Sequence, residues 1–326
     1  MTRAILLNNY GGPENLILKD LEWEPPMPGE VTIKQTFSSI NYADINFRKG
    51  NYKTPKIPII LGREGVGKIE EIGLGVKNFK VGDRVGYVSH FGGYAQRNNI
   101  DEKFLIPIPP SIPDKIVAAS LLKGMTAQYL LRQTYKVKRG DTVLIHAAAG
   151  GVGLIACQWA KHLGATVIGT VSTEEKAKIV SKYGCDYPIN YTEDDFVEKV
   201  LDITKGKKLP VVYDSVGKLT LMKSMKLIEP KGLLVSYGNA SGAPDDIDIL
   251  SLMKHGSLFL TRPTLADYTS TRSLLEKTAH DLFETIKSGA IKVEINQSYL
   301  LENVKNAHSD LEDRKTTGST VLKTSI

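Results

Sequence analysis

Over the first ~120 residues the chain alternates apolar with polar positions in short runs bounded by Gly and Pro. Examples are EVTIKQTFSSI (30–40), GVGKIEEIG (65–73) and DRVGYVS (83–89). A period of two predicts half-buried strands, so this part reads as mostly β. From about residue 124 the rhythm changes. TVLIHAA (142–148) predicts a strand, and Val152 to Leu163 a helix closed by Gly164. TVIGTV (166–171) predicts the next strand, and Glu174 to Tyr183 a helix with Ser172 or Thr173 as its cap and Gly184 at its end. YPIN (187–190), a helix over 194–204, VVYDSVG (211–217), a helix through Ile228, GLLVSYG (232–238) and SLFLTRP (257–263) continue the series. Strands alternating with helices predict an α/β unit on a doubly wound parallel sheet. After Pro263 come a long helix (about 270–288) and short strands ending in STVLKTS, a return to β character that suggests completion of the first domain.

Composition narrows the class. The 326 residues are enough for two domains, and 41% hydrophobic with 24% charged residues is ordinary for a globular protein. Two cysteines, Cys157 and Cys185, cannot build a disulfide framework and fit a reducing compartment. The opening MTRAILLNNYGG has too short an apolar run for a secretory signal, so the expected location is cytoplasmic. Residues 142–160 are apolar enough to raise the question of a membrane span, but His146, Gln158 and three glycines argue against one. The net charge of +6 permits nucleic-acid binding, yet the basic residues are dispersed, with small clusters at KVKR (136–139) and KGKK (205–208).

The candidate chemistry lies in HAAAGGVG (146–153). A tight turn after a strand brings Ala149, Gly150, Gly151, Val152 and Gly153 to the head of a helix. Missing Cβ atoms there let a diphosphate approach the backbone, and the free N–H groups meet its charge. Such units usually place an Asp or Glu about 20 residues on, to hold a ribose 2′-hydroxyl. Here that position is Thr170, flanked by Gly169, Val171 and Ser172. Without a carboxylate to repel it, a 2′-phosphate is admissible, and the expected cofactor is NADPH. Ser172, Lys176 and Tyr191 are the candidates to hold that phosphate or the adenosine edge, although a lysine on a helix surface is common. Ser215 and Gly217 end one later strand, and Tyr237, Gly238 and Asn239 another; strand carboxyl ends are where ligands lie in such sheets.

GGPENL (11–16), SSINYAD (38–44), GREGVG (62–67), VGDRV (81–85), LKGMTA (122–127), HAAAGGVG and VVYDSVG occur in that order. Together they resemble the medium-chain dehydrogenase/reductase superfamily and, within it, the zinc-independent NADPH:quinone oxidoreductases of the ζ-crystallin type. The resemblance implies a GroES-like catalytic domain (1–123), a Rossmann domain (124–262), a C-terminal segment (263–326) completing the catalytic domain, and a homodimer. It implies reduction of a quinone by NADPH. Reduction of an activated C=C bond in a 2-alkenal or enone is the alternative on the same fold, and RNA binding, attributed to some relatives, an alternative of another class.

Zinc-dependent relatives carry a Cys near residue 40 and a His in a G-H-E motif, where this chain has Ser39–Ile40–Asn41 and Gly62–Arg63–Glu64. An arginine cannot ligate zinc, and no metal is expected. The resemblance further implies that Asn41 bonds the cofactor or a quinone carbonyl, that Asp44 holds the local loop, and that Tyr52 faces the acceptor. Asn41 could instead serve its own backbone, and Tyr52 could be surface packing. Lys123 and Thr126 are implied at the nicotinamide ribose. Related reductases often carry an aromatic where this chain has Asn46, which bears on which quinones fit.

Overall fold

The computed structural model describes residues 1–325; residue 326, the last of the expected C-terminal segment, lies outside the described residues. The chain forms two compact units. The first comprises Met1–Lys123, Thr269–Lys287 and the chain from Val293 on; the second comprises Gly124–Tyr268 and Ser288–Lys292.

The first unit is built on the strand Glu30–Ile40, whose valines, isoleucines and threonines suit a pleated, largely buried position. Its first half pairs with Arg97–Asp101 and its second half with Ser319–Lys323, while Glu64–Ile72 runs along its other edge, all antiparallel. Ile295–Leu300 extends the sheet beyond Ser319–Lys323, so the C-terminal β segment does join the β sheet of the N-terminal one. A smaller sheet joins Thr2–Leu7 to Leu16–Leu21 and Ile59–Ile60. Two apolar clusters fill the unit, one around Ile40, Leu61, Tyr94 and Leu322, the other around Ile33, Val85 and Tyr87.

The second unit is a six-stranded, wholly parallel sheet. Its spatial order is Tyr187–Asn190, Thr166–Val171, Thr142–Ile145, Leu209–Asp214, Ile228–Ser236, Phe259–Thr261. Chain order reverses between Thr142–Ile145 and Leu209–Asp214, which makes a topological switch point at their carboxyl ends. Near-continuous burial of these strands is what a parallel sheet covered on both faces requires. The apolar stretch at 142–160 resolves into the strand Thr142–Ile145 and the helix Gly151–His162, in which every residue from Gly153 to Ala160 is buried. No helix among the described residues is long and apolar enough to cross a membrane.

Several boundaries differ from the sequence expectation for local reasons. The cap of the helix Glu174–Lys182 is Thr173, one of the two expected, which accepts the Lys176 N–H. The helix expected over 194–204 starts at Phe196, because Asp195 turns back to accept the Val197 N–H. The helix expected through Ile228 shrinks to Leu221–Ser224 and a tighter turn, Met225–Leu227. Ile228 opens the next strand instead, and Pro230, which cannot continue a helix, sits where that strand's register shifts. Two helices of the β-rich part, Tyr42–Lys49 and Asp114–Tyr129, were not expected.

Leu144 lies fully buried at the centre of the parallel sheet, packed among Ile168, Val212 and Leu234. Leu144→Ala should cost about 2–5 kcal/mol and lower the thermal midpoint by several degrees. An unchanged calorimetric transition would contradict this packing.

Candidate active site

In the second unit the fingerprint turn sits at the switch point. Ala147 adopts a left-handed φ of 52°, and its carbonyl accepts the Gly150 N–H at 3.0 Å, which folds the chain sharply out of the strand. Gly150 caps the helix Gly151–His162, whose first-turn N–H groups at Gly151, Val152 and Gly153 have no carbonyl of a preceding turn to bond. A Cβ on Gly153 would stand 2.3 Å from the Ala147 carbonyl oxygen, so only glycine lets the helix start this close to the strand. Ala149 is buried beside it. An anion-sized ligand is what this arrangement of N–H groups and helix dipole suits.

One strand over, Val171 ends its strand and Ser172 and Lys176 come together, the Lys176 ammonium donating to the Ser172 hydroxyl at 3.4 Å. Tyr191 stands alongside, its N–H bonded to the Val171 carbonyl at 3.0 Å. The acids next in sequence, Glu174 and Glu175, open the helix. The Glu175 carboxylate is held below its ordinary range by its own N–H and the Thr173 hydroxyl, and so belongs to the cap. The three residues expected to take a 2′-phosphate are therefore neighbours.

Beyond the switch point, Asp214 organises the next loop. Its Oδ1 accepts the N–H groups of Val216 and Gly217, and its Oδ2 the Thr220 hydroxyl at 2.7 Å. Gly217, at φ 85°, allows the approach of the Gly242 carbonyl that a Cβ would block at 2.6 Å. Ser215 lies against Gly238, and the Arg262 guanidinium donates to the Gly238 carbonyl at 3.1 Å. Burial pushes the Tyr237 hydroxyl up, with Ser215 bonded to it. Asn239 keeps a buried Oδ1 with no hydrogen-bond partner, an acceptor open to a ligand's donor. His146, fully buried, bridges Thr170 and Ser224 at 2.9 Å each, and burial lowers its pKa. Sequence reasoning missed both Asp214 and His146, although a buried acid two residues before Val216 is an Asx-turn signal. Thr126 is buried in the second unit, on the helix Asp114–Tyr129.

The expected acceptor-side residues belong to the first unit. Asn41 caps the helix Tyr42–Lys49; its N–H donates to Asp44 Oδ2 at 2.9 Å, and its Nδ2 to Glu64 Oε1 at 2.8 Å. Glu64, fully buried, also accepts the Leu122 N–H at 2.9 Å and stands 3.7 Å from the Lys123 ammonium. Lys123 donates in turn to the Ser39 hydroxyl, and burial lowers its pKa against the pull of Glu64 and Asp44.

Behind Asp44 runs a buried chain. Arg48 can only donate, so its bond to His308 Nδ1 leaves the proton on His308 Nε2, which donates to Tyr94, which donates to Asp44 Oδ2 at 3.0 Å. The outer end of Arg48 pairs with Glu312 at 2.6 Å. Burial pushes Asp44 up to about 6 and His308 down to about 3. Tyr52 packs its ring edge-on to Phe47 at 5.4 Å. The expected catalytic residues thus fall into two settings: Asn41 and Asp44 are locked in one buried cluster, and Tyr52 stands apart on an aromatic contact.

Comparison with known proteins follows this geometry. Residues 27–138 match the alcohol dehydrogenase GroES-like domain and residues 151–282 the zinc-binding dehydrogenase family. The chain is 46% identical over 323 residues to a quinone oxidoreductase of Pseudomonas aeruginosa, covering 99% of each chain. It is 44% identical over 330 residues to a 2-haloacrylate reductase of a Burkholderia species, again covering 99% of each. The crystal structure of Escherichia coli quinone oxidoreductase complexed with NADPH superposes with a TM-score of 0.97 at 44% identity, covering 99% of this chain and 100% of that one.

The zinc named for the second of those families does not fit the residues present. Ser39 and Asn41 are engaged with Lys123 and Glu64, and Arg63 brings a fixed positive charge where a ligand would stand. His90 stacks on Phe104 at 3.8 Å, and burial pushes it down to about 4. Among the described residues no three His, Cys, Asp or Glu side chains gather as a metal site.

Asp44 titrates near 6 when folded and near 3.8 ordinarily, so the folded protein binds the extra proton between those values. Its contribution to stability is therefore lost as pH rises through this window. His308 has the opposite sign: its folded pKa is depressed, so stability is lost as pH falls below its ordinary range toward 3. Asp44→Asn isolates the first effect. The stability of the variant minus that of the wild type should rise by on the order of 3 kcal/mol between pH 4 and 7 in urea titrations, and a difference flat with pH would contradict the assignment.

Proposed function

We propose, on the premise that this chain belongs to the quinone oxidoreductase family of the medium-chain dehydrogenase/reductase superfamily, that it reduces quinones with NADPH and uses no metal to do so. The observation that carries the cofactor half is the pairing of Ser172 with Lys176 at the strand end where an NAD-binding unit would place an acid. Ala149, Gly150, Gly151, Val152 and Gly153 hold the diphosphate, and Ser172, Lys176 and Tyr191 the 2′-phosphate. Ser215, Gly217, Tyr237, Gly238 and Asn239 line the nicotinamide half, with Lys123 and Thr126 at its ribose. When bound, NADPH supplies a hydride, and the quinone leaves as a hydroquinone after taking a proton from solvent. The protein's own share is binding, alignment and exclusion of water. The Asn41 amide donates to Glu64 and to the Ser39 carbonyl, so it reaches the cofactor or the quinone carbonyl only by exchanging the longer of these two bonds; Asp44 fixes the helix start that carries Asn41, and Tyr52 faces the acceptor.

A second reading, reduction of an activated C=C bond, is supported by the 44% identity to a protein named for 2-haloacrylate reduction. Both readings use hydride delivery to a conjugated acceptor. A homodimer through the edge of the parallel sheet completes the proposal. The strand Phe259–Thr261 is an edge, with Phe259 63% exposed, and the helix just before it carries exposed Ile249, Leu250 and Met253. Such an edge invites pairing with a second copy. A cytoplasmic location fits two buried cysteines kept as thiols.

The direct test follows NADPH oxidation with a panel of quinones, with 2-alkenals and NADH as comparisons. Fast turnover of quinones with NADPH is expected, whereas turnover of alkenals alone would move the assignment to the second reading. Lys176→Glu should raise the KM for NADPH by roughly 10-fold or more and leave that for NADH within about 2–3-fold; equal effects would remove Lys176 from the phosphate site. Phe259→Lys should shift the mass seen by light scattering from dimer to monomer, and an unchanged dimer would place the interface elsewhere.

A further inference from the structure

Arg63 directly precedes the strand Glu64–Ile72 and is a half-buried cation of the first unit. Its guanidinium carbon lies 4.8 Å from the ring centres of both Phe47 and Phe91. Its one hydrogen bond runs from Nη2 to the carbonyl of Ser89 at 2.5 Å. Ser89 holds a left-handed φ of 66°, a conformation that costs a non-glycine residue energy. The Nε–H is buried and has no hydrogen-bond partner among the described residues. A guanidinium carries five N–H donors, so most of this one's capacity is unspent.

The neighbouring acids do not use it. Both oxygens of Glu64 are taken, by Asn41 and by the Leu122 N–H. Asp44 spends Oδ2 on Asn41 and Tyr94, and its buried Oδ1 has no partner, so the Arg63 fork does not close on it although the two charges feel each other. His90 is neutral or positive and never negative, so it does not balance the cation; burial first, and then the Arg63 charge, hold its pKa down to about 4. Contact with two rings is weak beside a hydrogen bond and does not replace the one that the buried Nε–H lacks. Phe47 and Phe91 pack edge-on to each other, 5.0 Å apart and 79° between planes, so the guanidinium sits in the corner they form; a fork held there with donors left over is suited to an anionic group.

We propose that Arg63 is an acceptor-selecting residue: its guanidinium binds a carboxylate or sulfonate carried by the electron acceptor, so that the protein prefers acidic conjugated acceptors to neutral ones of the same ring size. This rests on the hydride-to-acceptor reading above, with Tyr52, packed on the same Phe47 ring, beside the bound group. Phe47 and Phe91 form the apolar corner that holds the guanidinium, and the Ser89 carbonyl orients the fork by fixing Nη2.

Two measurements test it, one of which needs no turnover. Equilibrium binding of naphthalene-2-sulfonate and of the neutral naphthalene-2-carboxamide is compared for the wild type, Arg63→Lys and Arg63→Met. Arg63→Met should weaken the sulfonate by roughly 10–100-fold and the amide by far less, with Arg63→Lys between, since it keeps the charge and loses the fork. In turnover with NADPH, the ratio of kcat/KM for 1,4-naphthoquinone-2-sulfonate to that for menadione should fall by a similar factor in Arg63→Met. Intrinsic differences in quinone reactivity cancel when the variant ratio is divided by the wild-type ratio. Equal weakening of charged and neutral probes would assign Arg63 a packing role only and overturn the proposal, as would a wild type that does not bind the sulfonate. Sulfonate binding that depends on Arg63 in a protein that oxidises NADPH with no quinone would leave this site standing and remove the quinone reading instead.

Discussion

The first unit turns on a carboxylate that has been taken out of water. Glu64 is fully buried, and a charge in that position is tolerable only if donors converge on it. They do so from two other elements: the Asn41 amide from the start of the helix Tyr42–Lys49, and the Leu122 N–H from the helix Asp114–Tyr129. Lys123, one residue on, adds the compensating charge. Satisfying one acid therefore fixes the relative positions of a strand, a helix start and a second helix, and with them the side chains of Asn41, Ser39 and Lys123. The Arg48–His308–Tyr94–Asp44 chain repeats the logic a few ångströms away, with every proton position set by the fact that arginine cannot accept.

The second unit uses backbone where the first uses charge. Its donors are the first-turn N–H groups of Gly151–His162, made available by the turn at Ala147 and by the absence of a side chain at Gly153. Asp214 plays the supporting part, holding the loop from Val216 to Thr220 through three accepted hydrogen bonds. What the unit presents to a ligand is thus a fixed set of dipoles. Such a set needs no rearrangement when an anion arrives.

The parallel sheet was legible because its strands are continuous apolar runs and its helices carry glycine stops and polar caps. TVIGTV and YPIN occupy the positions their pattern predicts. The glycine turn was legible for the same reason, being local. The unexpected helices show where pattern reading fails: Tyr42–Lys49 holds buried Asp44 and Arg48, whose partners Tyr94 and His308 lie 50 and 260 residues away, so its buried face does not read as apolar. Arg63 is the same kind of case. As a letter it could be read only as something that is not a zinc ligand. Its two aromatic walls, Phe47 and Phe91, come from loops and helices the sequence does not connect to it.

The Thr173 cap has a consequence for how freely this chain can change. The hydrogen bond that starts the helix Glu174–Lys182 belongs to the Thr173 side chain, so the cap does not depend on the hydroxyl of Ser172 next to it. A change at Ser172 alters the end of the strand and leaves that cap in place. Asn41, Glu64 and Lys123 enjoy no such independence, since each satisfies another's buried polar group. Descendants of this sequence can therefore change Ser172 without losing the helix start, while Asn41, Glu64 and Lys123 are inherited only as a block.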